Sequence, residues 1–354
     1  MPPSPRLHAA APPAEPMPFT GAPLDRATLQ RKDSGWVARQ LRDPSARAVV
    51  ASADGLLVSA AGPPALARVP LTCVRAARGH DGAAGRGHDG AAGRGHDGAA
   101  GPDQAILLGL EDGAPRFALD LDALSDDRRA AALDGRRLMT LRELAAVLEH
   151  SEAGLAAYAA ALLNWHRRSR FCPGCGALTS ILEAGAARHC GACGQDHFPR
   201  TDPVVIMTVE HAGRLLLGRR AGWPAGRMSV LAGFVAPGES AEEAVAREVM
   251  EEAGIAVRRP VFVESQPWPF PASLMLGFHA LADGGEPAAL DGELAEVGWY
   301  DRAQVAVAAS WSDAAQGAPA AASQALATAA RDAPLRLPPR FSVARRLIDR
   351  WLAL

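Results

Sequence analysis

Four of the chain's five cysteines stand in two C-x-x-C pairs, Cys172-Pro-Gly-Cys175 and Cys190-Gly-Ala-Cys193, with fourteen residues between the pairs. The interval is close to the ~15–20 residues typical of four-cysteine zinc sites. Each pair is followed by a glycine, Gly176 and Gly194. Two such knuckles can bring four thiolates into a tetrahedron about 2.3 Å from one Zn²⁺. A closed thiolate shell leaves no position for water or substrate, so the expected role is structural, with metal binding replacing a missing hydrophobic core. A redox dithiol pair is the alternative. Thiols used this way suit a reducing compartment better than a disulfide framework does. The fifth cysteine, Cys73, reads as a plain buried thiol.

A chain of 354 residues has room for two to three domains around this module. Its 37 Lys+Arg against 39 Asp+Glu leave a net charge of −2, so no overall field gathers nucleic acid or an anionic membrane. No apolar run reaches membrane-spanning length and the start has no apolar signal core, which points to a cytoplasmic protein without a membrane partner.

Residues 1–18, rich in Pro and Ala, read as a flexible tail, and 19–153 as a small α+β domain with short apolar runs between Asp-Gly and Gly-Pro turns. Within it, 78–101 spell RGHDGAAG three times, with no apolar side chain larger than alanine. That cannot build a core and reads as a surface-loop insertion, although His-rich tracts can bind metals. Residues 154–199 read as a helix leading into the zinc ribbon, and 200–354 as strands alternating with helices, an α/β/α pattern. The Ala-rich stretch 302–334 reads as a partly helical or mobile insertion, and SVARRLIDRWLAL as a final helix.

Between Glu239 and Glu252 the chain carries six glutamates against one arginine, Arg247. On a helix Glu248 and Glu252 are i and i+4 and share a face, with Glu251 beside them, while Val245 and Val249 share the opposite face near Ala241. Crowded carboxylates invite a compensating cation, and hard divalent ions with oxygen ligands fit: Mg²⁺ or Mn²⁺. Gly254 can end the helix in the left-handed conformation.

Residues 233–255 resemble the Nudix box, G-x5-E-x7-R-E-U-x-E-E-x-G-U with U aliphatic, and match every fixed position. The resemblance implies an α/β/α sandwich, divalent metals held by box glutamates, and hydrolysis of a nucleoside diphosphate linked to another moiety. Ten residues on, Ser265 to Ser273 resemble the SQPWPFPxS signature of the NADH pyrophosphatase branch of that family, in which a four-cysteine module also precedes the box. Three prolines fix a rigid, extended path there, and Trp268 and Phe270 offer flat apolar surfaces.

This likeness implies a homodimer that splits NADH and NAD⁺ into nicotinamide mononucleotide and AMP, and that removes NAD caps from RNA 5′ ends. By the same likeness Glu248, Glu251, Glu252 and the later Glu293 are metal ligands. Phe234 and Phe198 are aromatics against the substrate, and Gln266, Pro267, Trp268, Pro269, Phe270, Pro271, Ala272, Ser273 and Ala344 are substrate-binding positions. Arg247 and Glu239 form a salt bridge that braces the box loop. The alternatives are a Nudix hydrolase preferring ADP-ribose or another diphosphate, and a nucleotide sensor that has lost its chemistry.

Overall fold

The computed structural model describes residues 16–74, 105–317 and 335–354. They fall into two compact units: Phe19–Arg200 with Pro269–Ala272, and Thr201–Trp268 with Ser273–Leu354 and the described residues up to Pro18.

In the first unit the chain runs through α1 (Ser34–Gln40), β1 (Arg47–Ala51), β2 (Leu56–Ser59), β3 (Val69–Pro70), α2 (Leu71–Val74), β4 (Ile106–Glu111), β5 (Ala114–Asp120), α3 (Asp126–Leu133), β6 (Arg136–Met139), α4 (Leu141–Leu144) and α5 (His150–Arg168). The strands form one sheet in the order β4-β5-β1-β2-β6 with β3 on β1, and β1 and β5 run parallel. Asp112 and Gly113, both at positive φ (50° and 78°), close the β4–β5 hairpin as a type I′ turn, whose twist matches that of the strands. Helix α5 packs on β1, β4 and β5, burying Leu155, Ala156, Ala159, Leu162 and Leu163. It therefore completes this sheet's layer, although its end leads directly into the ribbon.

The ribbon holds β7 (Ser180–Leu182), β8 (Ala187–His189) and β9 (Asp196–His197) in a three-stranded antiparallel sheet. One buried group ties it to α5. Arg188, 4% exposed, donates to Thr179 Oγ1 (2.7 Å) and Thr179 O (2.8 Å), and its Nη1 lies 3.1 Å from His166 Nδ1. His166 Nε2 is 2.9 Å from Gly185 O.

The second unit contains β10 (Asp202–His211), β11 (Arg214–Arg220), β12 (Leu231–Phe234), α6 (Ala241–Ala253), β13 (Val257–Trp268), β14 (Ser273–Ala282), β15 (Leu294–Asp301), α7 (Arg302–Gly317) and α8 (Val343–Ala353). The sheet order is β13-β14-β10-β11-β15 with β12 on β10, and β10 and β14 run parallel. Side chains of a strand alternate between faces, and β10 shows it. Val205, Met207 and Val209 meet Ala244, Val245, Val249 and Ala253 of α6. Ile206 faces the other way, into a core with Val305 and Ala308 of α7 and Val343, Leu347, Ile348 and Trp351 of α8. The expected α/β/α sandwich is therefore present.

Taken in chain order, β1 to β6 pair with one another as β10 to β15 do: the first and fifth strands parallel, the first with the second, the second with the sixth, the fourth with the fifth, and the third on the first. In the second sheet α6 lies between the third and fourth strands. In the first sheet that place holds α2 and residues 75–104, which include the octapeptide repeat and lie outside the described residues.

Two expectations change. Cys73 is exposed, not buried. Met17 packs on the α7–α8 core and Pro18 O accepts a hydrogen bond from Gln266, so the described end of the tail is part of the second unit. The stretch from 302 is partly helical, as expected: it begins as α7, whose Val305, Ala308 and Ala309 are buried against the sheet. Residues 318–334 lie outside the described residues.

Candidate active site and zinc centre

Helix α6 starts and stops where its sequence directs. Ser240 Oγ accepts from Glu243 N while the Glu243 carboxylate accepts from Ser240 N, a capping box, and Gly254 ends the helix at φ 68° with its N–H on Met250 O. The apolar face fixes the rotation of the helix on the sheet, and that rotation carries Glu248 and Glu252 to the same side.

The loop from Phe234 to Ser240 is clasped to the helix by Arg247. Its Nε and Nη2 donate to Glu239 Oε1 and Oε2 (2.7 and 2.9 Å), Nη1 donates to Glu248 Oε1 and Glu251 Oε2 (both 2.8 Å), and Nη2 also donates to Phe234 O (2.9 Å). The planar fork explains why arginine stands here: a lysine could not meet a carboxylate in two parallel bonds. Arg247 and the N–H of Ala236 hold the Glu239 carboxyl down at about 2.

Glu252 lies deepest, at 2% exposure, and its Oε2 has no hydrogen-bond partner among the described residues. Burial pushes its carboxyl up to about 8, Glu248 adds to this, and Arg220 opposes it. Glu248 is likewise raised, first by burial. An unpartnered buried carboxylate oxygen beside a second carboxylate is costly unless a cation meets it. The donor set is all oxygen, which suits a hard divalent ion. Glu248 and Glu252 fit such an ion best. Glu251 is half exposed and engaged with Arg247 at the rim. Glu293, 63% exposed, sits before β15 within electrostatic reach of the half-buried Glu248 and the buried Glu252.

Two further groups at the cluster have no signature in the sequence. Asp291, whose Oδ1 accepts from Glu293 N (2.9 Å), and Arg220 both act on Glu252. They come from separate strand ends that only the β11–β15 pairing brings together.

Of the other expected site residues, Phe234 is 61% exposed on the edge next to the loop. Trp268 stacks on Phe341 at 6.1 Å, and Ser273 opens β14 opposite it. Gln266 is fully buried. Its Nε2 donates to Phe341 O (2.7 Å) and Pro18 O (3.3 Å), and its Oε1 accepts from Val343 N (2.7 Å). The geometry thus makes Gln266 a strap that seats the start of α8, with its amide committed inside the fold. Ala344 lies in the first turn of that helix, buried, behind Ser342 as N-cap. Pro267 belongs to β13, whereas Pro269, Phe270, Pro271 and Ala272 group with the first unit, where Phe270 meets Phe19 edge-on (5.8 Å) and the Arg142 guanidinium (4.2 Å). Phe198 follows the last ribbon strand, 68% exposed.

In the ribbon the Sγ atoms of Cys172, Cys175, Cys190 and Cys193 all lie within 4.8 Å of one another. Cys172–Cys193 and Cys175–Cys190 are 3.6 and 3.4 Å apart, too long for disulfides and near the ~3.8 Å edge of a tetrahedron with 2.3 Å zinc–sulfur bonds. The knuckles are built alike: Gly176 N donates to Cys172 O and Gly194 N to Cys190 O, both 2.8 Å, with both glycines at positive φ (75° and 77°). The residues fit a structural zinc.

A helix bearing the box, seated on this mixed sheet, defines a Nudix domain, and the family comparison agrees. The Nudix domain model matches residues 199–321, the NADH pyrophosphatase zinc ribbon model 167–198, and the NADH pyrophosphatase-like rudimentary Nudix model 45–165. The chain is 40% identical over 259 residues (71% of this chain, 76% of the relative) to the NAD-capped RNA hydrolase NudC of Mycobacterium bovis BCG Pasteur. It is 39% identical over 193 residues (54% and 68%) to the protein of that name from Stutzerimonas stutzeri. With human NAD-capped RNA hydrolase NUDT12 it shares 37% over 217 residues (58% and 43%). The chain belongs to the NADH pyrophosphatase-like family of Nudix proteins. The rudimentary Nudix match also accounts for the shared topology of the two sheets.

Proposed function

We propose that this chain hydrolyses the diphosphate linkage of NADH and NAD⁺, giving nicotinamide mononucleotide and AMP, and removes NAD caps from RNA 5′ ends. The observation that carries this reading is the Glu248–Glu252 pair with its unpartnered buried oxygen, in a chain whose relatives are named for NAD-cap hydrolysis. Glu248 and Glu252, with Glu251 and Glu293 at the rim, would hold Mg²⁺ or Mn²⁺. Such an ion would neutralise diphosphate oxygens and lower the pKa of an attacking water. Arg247 and Glu239 keep the loop and the glutamates in register. Phe234 and Phe198 offer flat faces to a base or nicotinamide ring, Trp268 and Ser273 line the approach, and Ala344, in the first turn of α8, supplies a backbone contact to the nucleotide. Zinc would hold the ribbon together. The reading includes a homodimer working in the cytoplasm. Among the described residues no helix is long and apolar enough to cross a membrane.

The deciding experiment is chromatographic product analysis with NADH, ADP-ribose and NAD-capped RNA as competing substrates, with Mg²⁺ or Mn²⁺ and with chelator. Metal-dependent release of reduced nicotinamide mononucleotide and AMP supports the proposal. Preferential cleavage of ADP-ribose moves the substrate assignment, and binding of NADH without any product makes the protein a sensor.

A further inference from the structure

Arg220 ends β11 opposite Leu294, and the next residue's N–H, on Ala221, donates to Glu293 O (3.3 Å), so strand pairing fixes where the guanidinium emerges. Its Nη2 lies 3.7 Å from Glu293 Oε2, a loose contact at 52% exposure. The neighbouring cations are committed elsewhere. Arg219 donates to Glu296 (3.1 Å) and Trp223 O (3.2 Å), and Arg247 is taken up by three glutamates and a carbonyl. Arg220 is thus a cation on the open side of a cluster of four carboxylates, Glu248, Glu252, Asp291 and Glu293, with donors to spare.

We propose that Arg220 is a catalytic residue that binds a phosphate oxygen of the substrate's diphosphate, and that it does so at the expense of metal affinity. This rests on the diphosphatase reading above. A guanidinium beside the glutamates that would hold a divalent cation repels that cation, and the same charge attracts a diphosphate bridging onto the site. The two effects have opposite signs, whereas a residue that merely supports the fold would weaken both.

The test compares wild type with Arg220→Gln and Arg220→Lys. Mn²⁺ affinity without substrate, read by electron paramagnetic resonance, is expected to tighten about threefold in Arg220→Gln, with the difference vanishing at high salt. KM for NADH is expected to rise about tenfold with a smaller change in kcat. Arg220→Lys, which keeps the charge and loses the fork, is expected to restore wild-type Mn²⁺ affinity and part of KM. Equal or weaker Mn²⁺ binding in Arg220→Gln, or an unchanged KM, overturns the proposal. Should wild type leave NADH intact, the diphosphatase reading fails on its own. The second arm is then read by calorimetry with inorganic pyrophosphate and Mn²⁺, where equal binding by wild type and Arg220→Gln overturns the role of Arg220 and about tenfold weaker binding supports it.

Discussion

Gly233 and the Glu248 carboxylate occupy adjoining space: a methyl group on Gly233, in β12, would overlap the carboxylate group. Gly233 has no unusual backbone conformation to preserve, so its requirement comes from the glutamate alone. The obstructed group is the far end of a flexible side chain, which can swing away without unfolding the protein. Gly233→Ala is therefore expected to change stability by less than about 1 kcal/mol while lowering kcat at least ~100-fold. Thermal melts paired with NADH turnover check this, and a variant that loses stability and activity together would contradict it.

Glu252 trades stability for a site. Its carboxyl is buried, one oxygen is unpartnered and its pKa is pushed up to about 8, so folding without a metal makes a group that is ionised in the unfolded chain take up a proton, a cost that Glu252→Gln does not carry. In chelator the variant is expected to be more stable than wild type by about 1–3 kcal/mol. In saturating Mn²⁺ the order reverses, because only the wild type gains binding energy, and turnover is lost. Melting curves with and without Mn²⁺ would reveal the crossing, and parallel curves would remove Glu252 from the metal site.

His166 makes stability depend on pH in a stated direction. Burial, with Arg188 against it, lowers its pKa to about 4 in the folded chain, from 6.5, while its bond to Gly185 O works the other way. Its stabilising contribution is complete above pH 6.5 and is lost as pH falls towards 4, where the unfolded chain binds a proton that the folded chain does not. The loss approaches about 3 kcal/mol. Glutamine can accept from Arg188 and donate to Gly185 O without titrating, so His166→Gln should flatten denaturant-derived stability between pH 6.5 and 4. An equally steep fall in the variant would show that other groups carry it.

Cys190 is buried in the thiolate cluster. Cys190→Ser is expected to lose most of its zinc and several kcal/mol of stability, since metal binding is folding energy in such a module. Zinc content by mass spectrometry together with the melting temperature tests this. An unchanged melting temperature in a zinc-free variant would remove the structural role.

What the sequence disclosed followed contact distance along the chain. The cysteine knuckles and the box helix are local: ligands, glycines and caps lie within a few residues of one another, so spacing carries the geometry. Nothing near Gln266 in the chain announces its internal partners, Phe341 and Val343, which lie some seventy-five residues away. Arg220 and Asp291 were invisible for the same reason, their meeting being a product of strand pairing. Cys73 is exposed, and a lone cysteine has no periodic context to fix its side. The alanines after Arg302 permit a helix, but with so many small residues on every side they do not mark which face covers the sheet. The repeated topology has no sign in the sequence, because pairing order leaves no mark on composition.

That repeated topology gives the chain a division of labour. In the second sheet the connection from the third to the fourth strand must deliver a glycine, an arginine and several glutamates in register, so its length and wording are fixed by chemistry. The corresponding connection in the first sheet, between β3 and β4, bears no such obligation, and lengthening it leaves every strand pairing in place. Doubling a connection costs only about 0.6 kcal/mol in closure entropy. The three perfect copies of RGHDGAAG stand in that connection, at the one crossover of the two where added length displaces no carboxylate of the box.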